Sequence, residues 1–145
     1  MLKKVLVLVD GTENSLRALR YSIDLCKLSA GELIVMTSVK TDMKVMAEAA
    51  PLDQELRTQA NNEAVKAGNK VLGSAKAVLD DSGMQVQYIL EFGSPSATAM
   101  KAVEKFECDT IVVGSRGLGT FQGILSDSVS KKLVQEAHVP VIVIK

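Results

Sequence analysis

The stretch KVLVLVDGTENSLRAL, residues 4–19, passes from an unbroken apolar run at residues 4–9 through a small polar turn into a segment with helical spacing. Similar runs rich in Val and Ile recur at residues 32–39 (ELIVMTSV), 109–114 (DTIVVG) and 139–145 (VPVIVIK), and a run with partial alternation covers residues 84–90 (MQVQYIL). Strands with continuous rather than alternating hydrophobicity are covered on both faces, which is typical of parallel strands between layers of helices. The sequence therefore predicts five strands of a parallel sheet.

The segments between these runs carry apolar residues at helical spacing. The four stripes consist of Leu16, Leu19, Ile23 and Cys26; Ala64, Ala67, Val71, Ala75 and Val78; Ala99, Val103 and Phe106; and Val129, Leu133 and Ala137. The second stripe belongs to a long segment from about residue 52 to residue 82, and Pro95 lies near the first turn of the third helix. Gly31 and Gly83 follow helices at positions where C-terminal caps occur.

Strands and helices thus alternate along the whole chain, in the order β-α-β-α-β-α-β-α-β. Right-handed crossovers convert this order into an α/β fold, a doubly wound five-stranded parallel sheet of order 3-2-1-4-5 with helices on both faces. No linker or repeat divides the chain, so we expect a single domain over residues 1–145. The one long irregular connection, residues 40–51 (KTDMKVMAEAAP), follows the second strand and is a candidate lid.

Composition argues against several functions. The 145 residues are 47% hydrophobic and carry a formal net charge of zero, so no overall charge favours nucleic acid or an anionic membrane. No apolar run approaches the ~20 residues of a membrane span, and the start, MLKKVLVLVDG, is too short for a signal peptide. Cys26 and Cys108 lack metal-ligand spacing and are expected to be buried free thiols. We therefore expect a cytoplasmic protein that binds neither membrane nor nucleic acid.

Two small polar loops follow the strands at which a sheet of this order binds ligands. Open parallel sheets bind ligands beyond the carboxyl ends of their strands where the strand order reverses, here between the first and fourth strands. The first strand is followed by VDGTENS, residues 9–15, and the fourth by GSRGLGTFQG, residues 114–123. Because both loops are rich in Gly and small polar residues, composition and topology together predict a ligand site between them.

The residue types in these loops suit a phosphate. Glycines let the backbone approach the anion closely, and the N-terminus of the helix that follows carries partial positive charge. Arg116 could add a charged fork, Asp10 could accept a hydrogen bond from a ribose hydroxyl or hold Mg²⁺, and hydroxyl donors are available from Ser115, Thr120, Ser126, Ser128 and Ser130. The second loop contains neither a Walker A G-K-[ST] nor a Rossmann G-x-G-x-x-G at the first turn. Taken by itself, it is explained equally well as a glycine-rich turn.

The chain resembles the universal stress protein family over its whole length. The likeness includes VDGTENSLRAL after the first strand, the glycine loop, and the closing VSKKLVQEAHVPVIVIK. Members that bind ATP carry G-x2-G-x9-G-[ST] across the loop and the helix start. Gly114 and Gly117 match the first two glycines and Ser128 matches the final hydroxyl residue, whereas Asp127 stands in place of the last glycine.

The resemblance implies roles for further residues and an assembly. Leu8, Val9 and Val39 would border the adenine of a bound nucleotide, and Asp10 would lie near its ribose. The phosphate and ribose side would be lined by Val113, Gly114, Gly117, Ser128 and Val129. The resemblance also implies ATP, with Mg²⁺, as the ligand, and a homodimer paired through the last strand, residues 140–144, which is a candidate exposed edge.

Two interpretations of Asp127 remain open. As a helix N-cap, its carboxylate would accept from the backbone N–H of residue 129 or 130, which is worth ~1 kcal/mol, and would occupy donors that a phosphate needs. Its charge would also repel a phosphate 4 Å away by roughly 4 kcal/mol at an effective dielectric constant of about 20. Alternatively, the carboxylate turns outward or binds a Mg²⁺ ion that bridges the phosphates.

Three functions are compatible with these features. The first is a stress-response regulatory module that binds an adenine nucleotide, and the second is a dimeric stress or scaffold protein that does not bind ATP. The third is a slow ATPase or autophosphorylating protein. No Cys, Ser or Lys has a recognisable base partner, so the sequence offers no catalytic residue and favours a protein that is not an enzyme. The only histidine, His138, lies in the turn before the last strand and is expected at the surface.

Overall fold

The computed structural model describes residues 2–40, 54–80, 82–115 and 127–145, without the side chains of residues 54–57, 60, 127 and 128. Strands and helices alternate through these residues as the sequence predicts. The strands are β1 (Lys4–Leu8), β2 (Glu32–Val39), β3 (Val86–Phe92), β4 (Thr110–Gly114) and β5 (Val141–Ile144). The helices are α1 (Glu13–Ser29), α2 (Gln54–Leu79), α3 (Pro95–Phe106) and α4 (Asp127–Glu136). The candidate lid at residues 40–51 lies, apart from Lys40, outside the described residues.

The five strands form one parallel sheet of order β3-β2-β1-β4-β5, which confirms the predicted topology. In the register, Val5 of β1 stands opposite Leu33 of β2 on one side and Thr110 of β4 on the other. The strand order reverses between β1 and β4, so the carboxyl ends of these two strands form the place where ligands bind in such a sheet. Strands β3 and β5 are the edges.

Each face of the sheet carries its own apolar core. Side chains alternate across a strand, so Val5 and Val7 of β1 pack under α1 and α2, whereas Leu6 and Leu8 pack under α3 and α4. These four side chains are at most 1% exposed. Burial of each contributes about 1.5–3 kcal/mol, and burial on both faces explains why the strand sequence is apolar without alternation.

Helix α1 shows how local sequence sets its limits. Thr12 is the N-cap, with an extended backbone, and its hydroxyl accepts from the N–H of Ser15 at 3.3 Å. The C-terminal residue in the left-handed conformation is Ala30, with φ of +56°, and not Gly31 as the sequence suggested. Gly31 lies one residue further on, where its N–H donates to the carbonyl oxygen of Cys26 at 2.9 Å. Any side chain at residue 31 would collide with the carbonyl oxygen of Leu2, so close approach explains this glycine.

The stripe predicted for the long helix α2 is wrong at one position. Ala67 is exposed, and the buried residue of that turn is Gly68. Ala75 and Leu79 continue the buried face further along the helix. The stripe was read from apolar residues, and glycine carries no hydrophobic signal, so the sequence did not show that the helix backbone itself packs on the sheet at residue 68.

The remaining predictions concern the thiols, the turn after α2 and the membrane. Cys26 and Cys108 are buried and free, as predicted. Gly83 lies in the turn after α2 with φ of +69°, a conformation that glycine adopts at little cost. Among the helices that the structure describes, none is long and apolar enough to span a membrane.

Candidate functional site

The loops that follow β1 and β4 begin side by side. The side-chain amide of Asn14, in the first turn of α1, donates a hydrogen bond to the carbonyl oxygen of Ser115, the first residue after β4. Gly114 touches the same turn, because a Cβ built on it would lie 2.7 Å from the carbonyl oxygen of Asn14 and 3.2 Å from the nitrogen of Ser15. The two loops therefore converge at the reversal of strand order, where the sequence placed the ligand site.

Asp10 lies two residues after β1 and organises the loop that follows this strand. Its Oδ1 accepts from the backbone N–H of Thr12 at 2.9 Å and from the Thr12 hydroxyl at 2.5 Å. Its own N–H donates to Oγ of Ser15 at 3.2 Å, and that hydroxyl donates to the Thr12 carbonyl oxygen at 3.0 Å. Aspartate commonly closes a turn in this way, through the backbone two residues ahead. The result is a partly exposed carboxylate in a defined position, suited to accept a hydrogen bond or to hold a cation.

The apolar residues expected around the base (Leu8, Val9 and Val39) and on the phosphate and ribose side (Val113 and Val129) belong to the protein interior. Leu8, Val9, Val39, Val113 and Val129 are all buried, none of them more than 8% exposed. Leu8 and Val113 belong to the core under α3 and α4, together with Val129 of α4. Val9 belongs to the core under α1 and α2. In this conformation these side chains pack in the interior and expose little surface to a ligand.

Hydrogen bonds around Gly93 fix the end of β2. Its N–H donates to the carbonyl oxygen of Val39 at 3.0 Å, and its carbonyl oxygen accepts from the hydroxyl of Ser38 at 2.6 Å. Oγ1 of Thr98, in α3, donates to Ser38 Oγ at 3.3 Å. The sequence had singled out Val39 but neither Ser38 nor Gly93, since small polar residues at strand ends carry no periodic signal. This network holds the backbone at the predicted base end of the site.

The glycine loop contributes only its two ends to the described part of the site. Arg116 and Gly117 lie outside the described residues. Helix α4 is described from Asp127 onward, and residue 126 lies outside the described residues, so neither interpretation of Asp127 is tested. The side chains of Asp127 and Ser128 are not described, whereas Val129 and Ser130 are buried in the first turn. A carboxylate at residue 127 belongs to the end of the helix where the macrodipole attracts negative charge.

Other reactive groups lie away from the carboxyl ends of β1 and β4. Burial raises the pKa of the Cys26 thiol to about 11, and the nearby Asp109 adds to this effect. Burial also raises the pKa of the Cys108 thiol to about 11, where Lys4 opposes the rise and Asp109 adds to it. Such thiols are protonated at neutral pH and are poor nucleophiles. His138 is exposed near the start of β5. No group of three or more His, Cys, Asp or Glu residues that could hold a metal ion occurs in the described ranges.

Comparison with known proteins gives one consistent family. The model of the universal stress protein family matches residues 1–145. Universal stress protein YxiE of Bacillus subtilis is 29% identical over an alignment that covers 100% of both chains. Universal stress protein MJ0577 of Methanocaldococcus jannaschii is 26% identical, with 100% of this chain and 96% of the other covered. The structure of MJ0577 superposes with a TM-score of 0.76 at 27% identity and the same coverage.

Solved structures with a nucleotide share the fold at lower identity. A universal stress protein of Archaeoglobus fulgidus in complex with dAMP has a TM-score of 0.71 at 19% identity, with full coverage of both chains. A family protein of Arabidopsis thaliana with AMP bound has a TM-score of 0.67 at 23% identity, with 99% of this chain and 91% of the other covered. At these identities the likeness establishes the fold alone. The match of the family model over the full length shows that the chain belongs to the universal stress protein family.

Proposed function

We propose that this protein is a single-domain, cytoplasmic regulatory module of the stress response that binds an adenine nucleotide, ATP with Mg²⁺, between the loops after β1 and β4. The observation that carries the proposal is the convergence of these loops through Asn14 and Ser115 at the reversal of strand order. Family members with the same fold bind AMP and dAMP. The sequence motif adds Gly117 and Ser128 to the proposed site.

Each described group has a role in this proposal. The Asp10 carboxylate, fixed by Thr12, accepts from a ribose hydroxyl or contributes to holding Mg²⁺. The ends of β1 and β2, at Val9 and Val39, border the adenine. The first turn of α4 presents backbone N–H groups to the phosphates, which its dipole favours. Arg116, which lies outside the described residues, is proposed to supply a positive charge from the glycine loop.

Asp127 sets the affinity in this proposal. As the first residue of α4, it places a negative charge at the helix end that would face the phosphates. At 4 Å and an effective dielectric constant of about 20, the repulsion amounts to roughly 4 kcal/mol. That energy corresponds to almost a thousandfold in the dissociation constant. We therefore propose that the protein binds ATP weakly and that position 127 is the cause.

Replacement of Asp127 tests both statements. Titration of the wild-type protein with MgATP, followed by calorimetry, should show binding, and D127G should bind at least tenfold more tightly. D127N removes the charge at nearly constant size and should recover most of that gain if the effect is electrostatic. As the matched control, E136Q removes a negative charge at the far end of the same helix, about 13 Å away, beyond the Debye length of ~10 Å. Equal titration curves for the wild type and D127G would refute the electrostatic account, and absence of binding in both would refute the nucleotide site.

We further propose that the protein forms a homodimer through β5. In the described part of the chain, β5 pairs with β4 on one side and has no strand on the other. Its four residues are all Val or Ile, and Val143 is 36% exposed. An exposed apolar edge strand is a template for pairing with another strand, and pairing with a second copy would both satisfy its backbone groups and bury these side chains.

A further inference from the structure

The backbone of α2 touches the predicted base end of the site directly. Gly68 is buried against the sheet, and a Cβ built on it would lie 2.8 Å from Cγ1 of Val39 and would overlap Cδ1 of Leu90. Carbon atoms at van der Waals contact are about 3.5–4.0 Å apart, so even a methyl group at residue 68 forces a neighbour to move. Gly73, five residues along the same helix, has no atom within 4 Å of the corresponding position.

To make room for such a methyl group, Val39 can move its side chain but not its backbone. Its carbonyl oxygen is held by the N–H of Gly93 at 3.0 Å, and the adjacent Ser38 hydroxyl bonds the Gly93 carbonyl oxygen at 2.6 Å. A β-branched side chain has few alternative rotamers, so Val39 would have to turn away from α2 as a unit. One helical turn beyond Gly68, Val71 lies 3.6 Å from the Cβ position of Gly11, which follows β1. A single turn of α2 therefore covers the ends of both strands that border the adenine in the proposed function.

We propose that Gly68 is a positioning residue that sets the room for the nucleotide base through Val39, so that the site accepts a purine in preference to a pyrimidine. This inference rests on the proposed function, in particular on Val39 as a border of the base. Because residue 68 is glycine, the side chain of Val39 can pack against α2. The end of β2 is then left clear for the two-ring base of a purine. With a methyl group there, Val39 moves toward the base, and a two-ring base loses more room than a one-ring base.

The experiment compares the binding of AMP and CMP to wild type, G68A and G73A. G68A should weaken AMP binding at least tenfold and CMP binding less than about threefold, so that the ratio of the two dissociation constants falls. G73A makes the same substitution in the same helix without a contact, and should leave both affinities within twofold of the wild type. A merely structural loosening of α2 would weaken AMP and CMP alike and would leave the ratio unchanged. Such a result overturns the inference.

A second pair of variants does not depend on the folding of G68A. V39A removes Cγ1, one of the two side-chain contacts that a methyl group at residue 68 would press, and leaves the other, Cδ1 of Leu90, in place. If Gly68 acts through Val39, V39A and V39A/G68A should have the same AMP-to-CMP ratio, and different ratios overturn the inference. Wild-type binding of AMP with no selective effect of G68A refutes this inference alone. Failure of the wild type to bind either nucleotide refutes the proposed function and the inference with it.

Discussion

Replacement of Gly114 by Ala should destabilise the protein in the absence of any nucleotide. A Cβ at this position would lie 2.7 Å from the carbonyl oxygen of Asn14 and 2.8 Å from its carbonyl carbon. Both atoms belong to the backbone at the start of α1, which cannot rotate out of the way as a side-chain end would. To restore normal contact, the first turn of α1 must retreat from β4 by roughly 0.5–1 Å.

The cost of that retreat follows from two contributions. Overpacking of a well-packed region typically costs about 1–3 kcal/mol. The hydrogen bond from Asn14 to the Ser115 carbonyl oxygen crosses the same contact, and its loss adds about 1 kcal/mol. Alanine also lowers the conformational entropy of the unfolded chain relative to glycine, which offsets about 0.4–1 kcal/mol of this cost. We therefore expect G114A to lower the free energy of unfolding by about 1–3.5 kcal/mol, equivalent to a fall in Tm of roughly 2–14 °C for a chain of this size.

Urea unfolding followed by circular dichroism measures this change directly. The midpoint should fall while the slope of the free energy with urea stays constant, because the substitution alters stability and not the surface exposed on unfolding. G73A is the control, since alanine gains up to about 1 kcal/mol of helix propensity over glycine and meets no atom at that site. If G114A is as stable as the wild type without nucleotide, the close contact between α1 and β4 is refuted.

Two further predictions concern the thiols and the edge strand. Because the pKa values of Cys26 and Cys108 rise from 9.0 to about 11 on folding, the unfolded thiols lose protons first as the pH increases. Their contribution to stability is complete below pH 9 and is lost toward pH 11, so C26A/C108A should show a shallower decline of the urea midpoint over this range, and an equal decline would contradict the shift. V143K places a charge in the proposed β5 pairing and should convert a dimer into a monomer in analytical ultracentrifugation. L28K, at a residue of α1 that is 88% exposed, is the matched control and should not change the assembly; a V143K dimer or a wild-type monomer would exclude this interface.

The sequence predicted the fold because its main determinant is a pattern of burial. Four apolar runs without alternation are typical of strands covered on both faces of a sheet, the fifth run alternates in part, and the helical stripes between the runs supply the cover. The errors occurred where backbone contacts, and not side-chain hydrophobicity, decide the structure. Ala30 adopts the left-handed conformation that was expected of Gly31, and Gly68 is buried where Ala67 was expected. Gly31 packs against the backbone of Leu2, and Gly68 packs against the side chains of Val39 and Leu90. Both contacts join residues far apart in the sequence.

The sequence predicted which strand ends converge, but only some of the residues that hold them together. Topology places the ends of β1 and β4 together, and Asp10 stands there as expected. Asn14, Ser38 and Gly93 hold the strand ends together. These residue types are common throughout loops and element ends, and their spacing along the sequence gives no signal. Their importance depends on hydrogen bonds to residues 55–101 positions away.

The contact at Gly114 also changes what the glycine motif means. A motif glycine supports ligand binding only to the extent that nothing else in the fold demands glycine there. At residue 114, the start of α1 excludes any side chain, so a member that had lost its nucleotide would retain this glycine for stability. Asp127, by contrast, replaces the last glycine of the motif at the start of α4. Its effect therefore bears on nucleotide binding, whereas Gly114 bears on stability. Titrations of D127G and D127N with nucleotide therefore distinguish a protein that binds nucleotide weakly from one that no longer binds it. The presence of Gly114 does not make this distinction.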